Sequence, residues 1–259
     1  MQTFTKGLLS RKKAESILDT AYQNSFIHDL KNFTNLQGQK VLVVGCNRGL
    51  ECELFHRHGA KDITGIDPCP SIGIDFHRPY IRYVNVSAED MPFEDETFDV
   101  VATFAALEHI PDPLVSLKNM IRVTKKFGII YCHGSLLWFS PFGHHQGEFI
   151  QNDPWIHIRK KTFEELCQHY GNIDRIVDGM TLKNRLHYIS NSPEFNRFST
   201  NQYKTILKKL MDSTSIVRVM FDMKMDYKKL MTPDLKKELA GYPDEDLFTE
   251  TLCFVLKKL

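Results

Sequence analysis

No two cysteines in this chain stand in a C-x-x-C pair. The six, at 46, 52, 69, 132, 167 and 253, include several inside apolar runs. That spacing excludes a zinc knuckle or a disulfide frame and reads as reduced core thiols of a cytosolic protein. An excess of one charge is also missing: 33 basic against 32 acidic residues leave a net charge of +1. No global field therefore invites nucleic acid or an anionic membrane, and neither is expected as a partner. The pairs Lys208-Lys209, Lys228-Lys229 and Lys236-Lys237 sit in amphipathic segments and read as solvated helix faces. No run approaches the roughly 20 apolar residues of a membrane span, and the opening Met1-Gln2-Thr3-Phe4 lacks an apolar signal segment. A cytoplasmic location is expected. Internal repeats and low-complexity segments are absent too.

What remains is a chain of 259 residues, 42% hydrophobic with 18 Phe, enough for one large α/β domain. Its most informative stretch is Val41-Leu42-Val43-Val44-Gly45-Cys46-Asn47-Arg48-Gly49, followed by Ile63-Thr64-Gly65-Ile66-Asp67. It reads as a buried strand, a glycine turn into a helix, and a second buried strand ending in a carboxylate. An acidic side chain so placed accepts hydrogen bonds from ribose hydroxyls while the turn lets backbone come close. The dinucleotide fingerprint G-x-G-x-x-G is not met, because position 47 is Asn and position 50 is Leu. Asn tolerates the left-handed backbone that a middle glycine supplies, so the turn survives.

Strands then alternate with helices: Val41–Val44, Leu50–His58 (helix), Ile63–Ile66, Ile81–Val86, Phe98–Phe104, Leu114–Val123 (helix) and Ile129–His133. Wholly apolar strands in this pattern predict a doubly wound, mostly parallel sheet. Residues 13–30 have helical periodicity, and residues 1–37 are expected to form a helical cover. The α/β core is assigned to 38–178 and 248–259. Within it Thr162–Tyr170 is a helix capped by Thr162 and Glu165, and 173–177 a strand. Residues 179–247 read as a helical insertion or lid before a last strand at 250–258. The segment 134–160 is too long for a simple connection and is read as a functional loop.

Five motifs in order carry a resemblance. They are the glycine turn above, Gly65-Ile66-Asp67-Pro68, Ala88-Glu89-Asp90-Met91-Pro92-Phe93, Phe98-Asp99-Val100-Val101 and Leu107-Glu108-His109-Ile110-Pro111-Asp112-Pro113. Together they resemble the class I S-adenosylmethionine-dependent methyltransferases, small-molecule branch, over residues 38 to 133. The resemblance implies a seven-stranded Rossmann-like sheet with S-adenosyl-L-methionine as cofactor. Gly45, Cys46, Asn47 and Gly49 would pass under its methionine and ribose. Asp67 and Pro68 would lie at the ribose, Ala88 and Glu89 along the adenine, and Phe104 and Leu107 on the path to the sulfonium. Val43, Asn47, Ser87 and Lys125-Lys126-Phe127-Gly128 depart from the family's pattern.

Methyl transfer asks the protein to align an acceptor with the sulfonium and, for a hydroxyl, to take its proton. Three loop histidines, His144, His145 and His157, stand among Trp138, Phe139, Phe142, Phe149 and Trp155 and are the candidate bases. Glu108-His109 with His157 is similar to the Glu-His plus later His set with which ubiquinone-pathway and small-RNA methyltransferases hold a divalent metal. Ala105 stands where that pattern's first glutamate would be. Arg159-Lys160-Lys161 could meet a carboxylate or phosphate, or simply be a solvated helix start. The resulting expectation is O-methylation of a small molecule or a sugar- or phosphate-bearing acceptor. Two other readings stand beside it: a non-catalytic module that binds the cofactor, and a nicotinamide oxidoreductase, disfavoured by the missing glycines.

Overall fold

The computed structural model describes residues 17–18, 21–150 and 152–259. Most of the N-terminal stretch read as helical, residues 1–16 with 19 and 20, lies outside these. Within them helix α1 spans Gln23–Leu30. Strand β1 (Lys40–Val44) leads to α2 (Leu50–Arg57), β2 (Asp62–Ile66), β3 (Ile81–Val84), β4 (Phe98–Phe104), α3 (Pro113–Val123) and β5 (Thr124–Ser135). The second half holds α4 (Ile156–Arg159), α5 (Phe163–Tyr170), β6 (Ile176–Val177), β7 (Met180–Thr181), α6 (Leu182–Asn191) and α7 (Thr200–Lys209). It ends with β8 (Thr214–Met223), α8 (Pro233–Glu238), α9 (Asp244–Phe248) and β9 (Thr249–Lys258).

The main sheet has seven strands in the order β3-β2-β1-β4-β5-β9-β8. Strands β1 to β5 pair in parallel, and β9 runs antiparallel to both β5 and β8. Successive residues point to opposite faces, and both faces are covered. On one side Leu42, Val44, Val101, Ile130, Cys132, Phe254 and Leu256 share a core with Leu117, Met120 and Ile206 of α3 and α7. On the other Val41, Val43, Val100, Ala102, Ile129, Tyr131 and Val255 pack with Ile27 and Leu30 of α1 and Leu54 and Phe55 of α2. Burial on both faces is why these strands are apolar throughout.

Local signals set the helix ends. Asp112 accepts the Val115 N–H at 3.0 Å at the start of α3, where Pro113 needs no donor of its own. Thr162 and Glu165 form the expected reciprocal cap on α5. The expected strand at 173–177 is instead a two-residue arm of a hairpin, β6-β7, turning on Asp178 and Gly179, both with positive φ.

The largest departure lies in 179–247, read above as helical. Residues Thr214–Met223 form a ten-residue strand at the edge of the main sheet. Arg218 of this strand donates to Asp29 of α1 at 2.8 Å, and Tyr131 of β5 donates to the same carboxylate at 2.8 Å. The guanidinium holds the Asp29 carboxyl below its usual range. Two smaller cores lie outside the sheet: Trp138, Trp155, Ile158, Phe195, Leu235, Leu239, Leu247 and Phe248 form one, and Ile150, Ile156, Leu166, Leu182, Leu186 and Ile189 the other. They fix the loop that follows β5.

Candidate active site

The glycine turn after β1 needs left-handed backbone at Gly45 (φ 75°), Asn47 (φ 44°) and Gly49 (φ 97°). Asn47 thus adopts the conformation its short polar side chain permits. A Cβ on Gly45 would stand 2.4 Å from the Ala106 Cβ, and one on Gly49 would stand 2.2 Å from the Tyr83 hydroxyl. Only glycine lets the turn lie against both neighbours. Asp67, directly after β2, closes it: one carboxylate oxygen accepts the Asn47 N–H and the other the Cys69 N–H, each at 2.8 Å. An ionised carboxylate offers about four acceptor positions, so capacity remains for a diol.

The structure brings Gly45, Asn47, Gly49 and Asp67 together at the carboxyl ends of β1 and β2, where ligands bind in such sheets. Pro68 is exposed beside them, and Cys46 contributes only backbone, its side chain being fully buried. Ala88 and Glu89 lie in the short turn after β3, where Glu89 accepts the Asp112 N–H at 3.1 Å and so ties to the start of α3. Phe104 and Leu107 are core residues on opposite faces of the sheet. Phe104 stacks on Phe26 of α1 at 5.7 Å, and Phe26 lies 3.9 Å from the His133 ring.

Like Asp67 and Glu89, two further carboxylates here lack a cationic partner among the described residues. Glu51, half-buried in the first turn of α2, accepts from Gln23 Nε2 at 3.4 Å, and desolvation raises its pKa to about 7. Glu108 accepts the Ser135 N–H at 3.2 Å through Oε1, while its buried Oε2 has no partner. Burial lifts this carboxyl to about 8. Glu51 escaped the sequence reading because acidic residues in the first turn of a helix are ordinary there. Only its burial sets it apart.

The histidines fall into two groups. His109 Nδ1 faces the Glu194 carbonyl at 2.9 Å, and His145 Nε2 faces the Leu136 carbonyl at 3.0 Å. A carbonyl only accepts, so those nitrogens are assigned the proton, leaving His109 Nε2 and His145 Nδ1 with bare lone pairs. Glu108, His109 and His145 each present a ligand atom, all within 4.8 Å of one another. His157, expected in this set, is not in it. It donates from Nε2 to the Trp138 carbonyl and lies 4.9 Å, ring to ring, from His144. His144 Nδ1 accepts the Gln146 N–H at 3.0 Å. The exchange of His157 for His145 follows from the loop's backbone, with Leu136 and His145 both left-handed at φ 56°. Burial lowers the pKa of all three loop histidines, His145 to about 4, His157 to about 3 and His144 well below the usual value. They are neutral at pH 7 and weak bases.

Glu108 makes a stability prediction. Its carboxyl sits near 8 folded against 4.5 ordinarily, so the folded chain holds the proton more tightly. That contribution is complete below about pH 4.5 and is lost as pH rises through about 8. Melting curves of Glu108→Gln between about pH 5 and about pH 8 should therefore fall less steeply than those of the parent. Equal slopes would contradict it.

Residues 42–132 match the family described as methyltransferase domain. Over that segment the chain is similar to methyltransferase domains. The chain is 35% identical over 109 residues to a ubiquinone biosynthesis O-methyltransferase of Aliivibrio fischeri, covering 39% of this chain and 46% of that protein. It is 33% identical over 111 residues to a tRNA U34 carboxymethyltransferase of Nautilia profundicola, covering 40% and 37%. The chain thus spans less than half the length of either curated relative. The crystal structure of an S-adenosylmethionine-dependent methyltransferase from Mesorhizobium loti superposes with a TM-score of 0.57 at 14% identity, covering 93% of this chain and 99% of that one. That likeness is one of fold.

Proposed function

We propose that this protein transfers a methyl group from S-adenosylmethionine to an oxygen of a small-molecule acceptor. One observation carries the reading: Asp67 fastens the Gly45–Gly49 turn at the carboxyl end of β1 within a methyltransferase core. Gly45, Cys46, Asn47, Gly49, Asp67 and Pro68 would hold the methionine and ribose, with Ala88 and Glu89 near the adenine. Phe104 and Leu107 support the wall from within the core. The cofactor brings two positive centres, its ammonium and its sulfonium. Glu51, half-buried, and Glu108, buried, have no cationic partner among the described residues and are suited to stand near them.

Positioning is the main requirement, worth roughly 7–11 kcal/mol in well-oriented reactions. The acceptor hydroxyl would meet Glu108, His109 and His145: the histidines, weak bases, would orient it, and the ionised fraction of Glu108, with its pKa near 8, would take its proton near neutral pH. The O-methyltransferase relative favours an oxygen acceptor, and the net charge of +1 favours a small molecule over tRNA. The direct test is transfer of labelled methyl from S-adenosylmethionine into a small-molecule fraction and, separately, into tRNA. Label in the first supports the proposal. Label only in the second, or in neither, contradicts it.

The same three side chains fit a divalent cation. Glu108 Oε2 is an orphaned buried oxygen, and each histidine donates its other nitrogen to a backbone carbonyl, the support that metal-ligating imidazoles receive. A bound cation would stabilise negative charge on the acceptor oxygen. Cobalt titration of the protein should give a d–d absorption band that His145→Ala loses. Added chelator should depress turnover. Activity untouched by chelator would rule out an essential metal.

A further inference from the structure

A groove of about 190 Å³ has Trp138 in its wall, and Glu108, His109 and His145 are not among the residues that line it. Phe195 forms the partition, its ring 5.2 Å from Trp138, 5.2 Å from His145 and 5.4 Å from His109. The groove is lined by aromatic rings: Trp138, itself largely buried, with Phe139 and Tyr242, whose rings lie 5.7 Å apart. Two cations face it. The Arg197 guanidinium lies 4.8 Å over the Trp138 ring and gives one N–H to the Ser190 carbonyl at 2.9 Å. Lys161 follows α4. Neither is ion-paired with a carboxylate among the described residues, whereas Arg159 nearby is paired with Asp153 and Glu238.

Two further features mark a built site. Arg197 holds a left-handed backbone at φ 56°, strained for a non-glycine residue and kept only where surroundings enforce it. His157 lines the groove at 5% exposure with Nε2 committed to the Trp138 carbonyl, so Nδ1 keeps a lone pair without a partner among the described residues. Buried acceptors of this kind normally find a donor. The space is smaller than the roughly 300–1,000 Å³ of drug-sized sites, so its guest is small.

We propose that this groove binds a small aromatic carboxylate. The ring lies against Trp138 and Phe139, and the carboxylate meets Arg197 and Lys161. Guanidinium and carboxylate match as donor fork and paired acceptor, while a flat apolar body suits the ring walls. The site is distinct from the cofactor cleft and stands whether or not the methyltransferase reading does.

Calorimetric titration of the whole protein with benzoate, benzamide and acetate tests it. Benzoate should bind saturably, and both its neutral isostere and acetate should bind at least about tenfold more weakly. Arg197→Gln should weaken benzoate by about tenfold or more and Lys161→Gln by less, both leaving the melting shift given by S-adenosylhomocysteine intact. Asp67→Ala should leave benzoate binding unchanged. No saturable benzoate binding up to about 10 mM, benzamide or acetate binding as tightly, or Arg197→Gln binding like the parent would each overturn the proposal.

Discussion

Asp67→Ala is expected to cut affinity for S-adenosylhomocysteine by about 10- to 100-fold, the loss of one charge-assisted hydrogen bond at roughly 1.5–3 kcal/mol. The carboxylate acts twice in this account. It accepts the Asn47 and Cys69 N–H groups, each at 2.8 Å, and so holds the turn and the β2–β3 loop together. It would also accept from the ribose. Asp67→Asn separates these roles, because one amide oxygen can keep one backbone bond while the charge is gone. Its melting temperature should stay closer to the parent than that of Asp67→Ala, with affinity still reduced. An Ala variant binding the ligand as the parent does would remove Asp67 from the site.

Gly45→Ala should cost the fold heavily. The new Cβ would lie 2.4 Å from the Ala106 Cβ at a residue with φ 75°. Left-handed strain of about 1–2 kcal/mol and overpacking of about 1–3 kcal/mol together predict a loss of about 2–5 kcal/mol. For a chain of this size that is a fall in melting temperature of about 5–15 °C. Ala106→Gly in the same chain should restore the steric part and leave the strain, so the two changes couple rather than add. A double variant no more stable than Gly45→Ala would show that the contact with Ala106 is not the cause.

Strands β1 to β5 were legible because burial on both faces leaves no polar alternation to confuse, as in Val41-Leu42-Val43-Val44 and Phe98 to Phe104. The edge strand β8 was not. Its Ser215, Arg218 and Asp222 interrupt Ile216, Val219 and Phe221, because an edge strand shows part of both faces to solvent. Such a mixed pattern is easily taken for an amphipathic helix. The β6-β7 hairpin did carry a signal in Asp178-Gly179, a pair suited to positive φ at both turn positions.

In the site, the pairing of turn and carboxylate could be read from spacing, since one strand-helix-strand unit fixes where Asp67 arrives. Which histidine joins Glu108 and His109 could not. That depends on left-handed residues at Leu136 and His145, which turn the loop so that His145 faces the cluster and His157 sinks behind Trp138. Glu51 stayed hidden for a related reason: a glutamate in the first turn of a helix is ordinary until its partial burial and raised pKa are known.

The most direct measurement is the melting temperature of the protein with and without S-adenosylhomocysteine. At about 100 times the dissociation constant, a ligand confined to the folded state adds about 2.7 kcal/mol, which here is a rise of about 5–10 °C. No rise at millimolar ligand would contradict the claim that the Gly45–Gly49 turn and Asp67 form an adenosyl site.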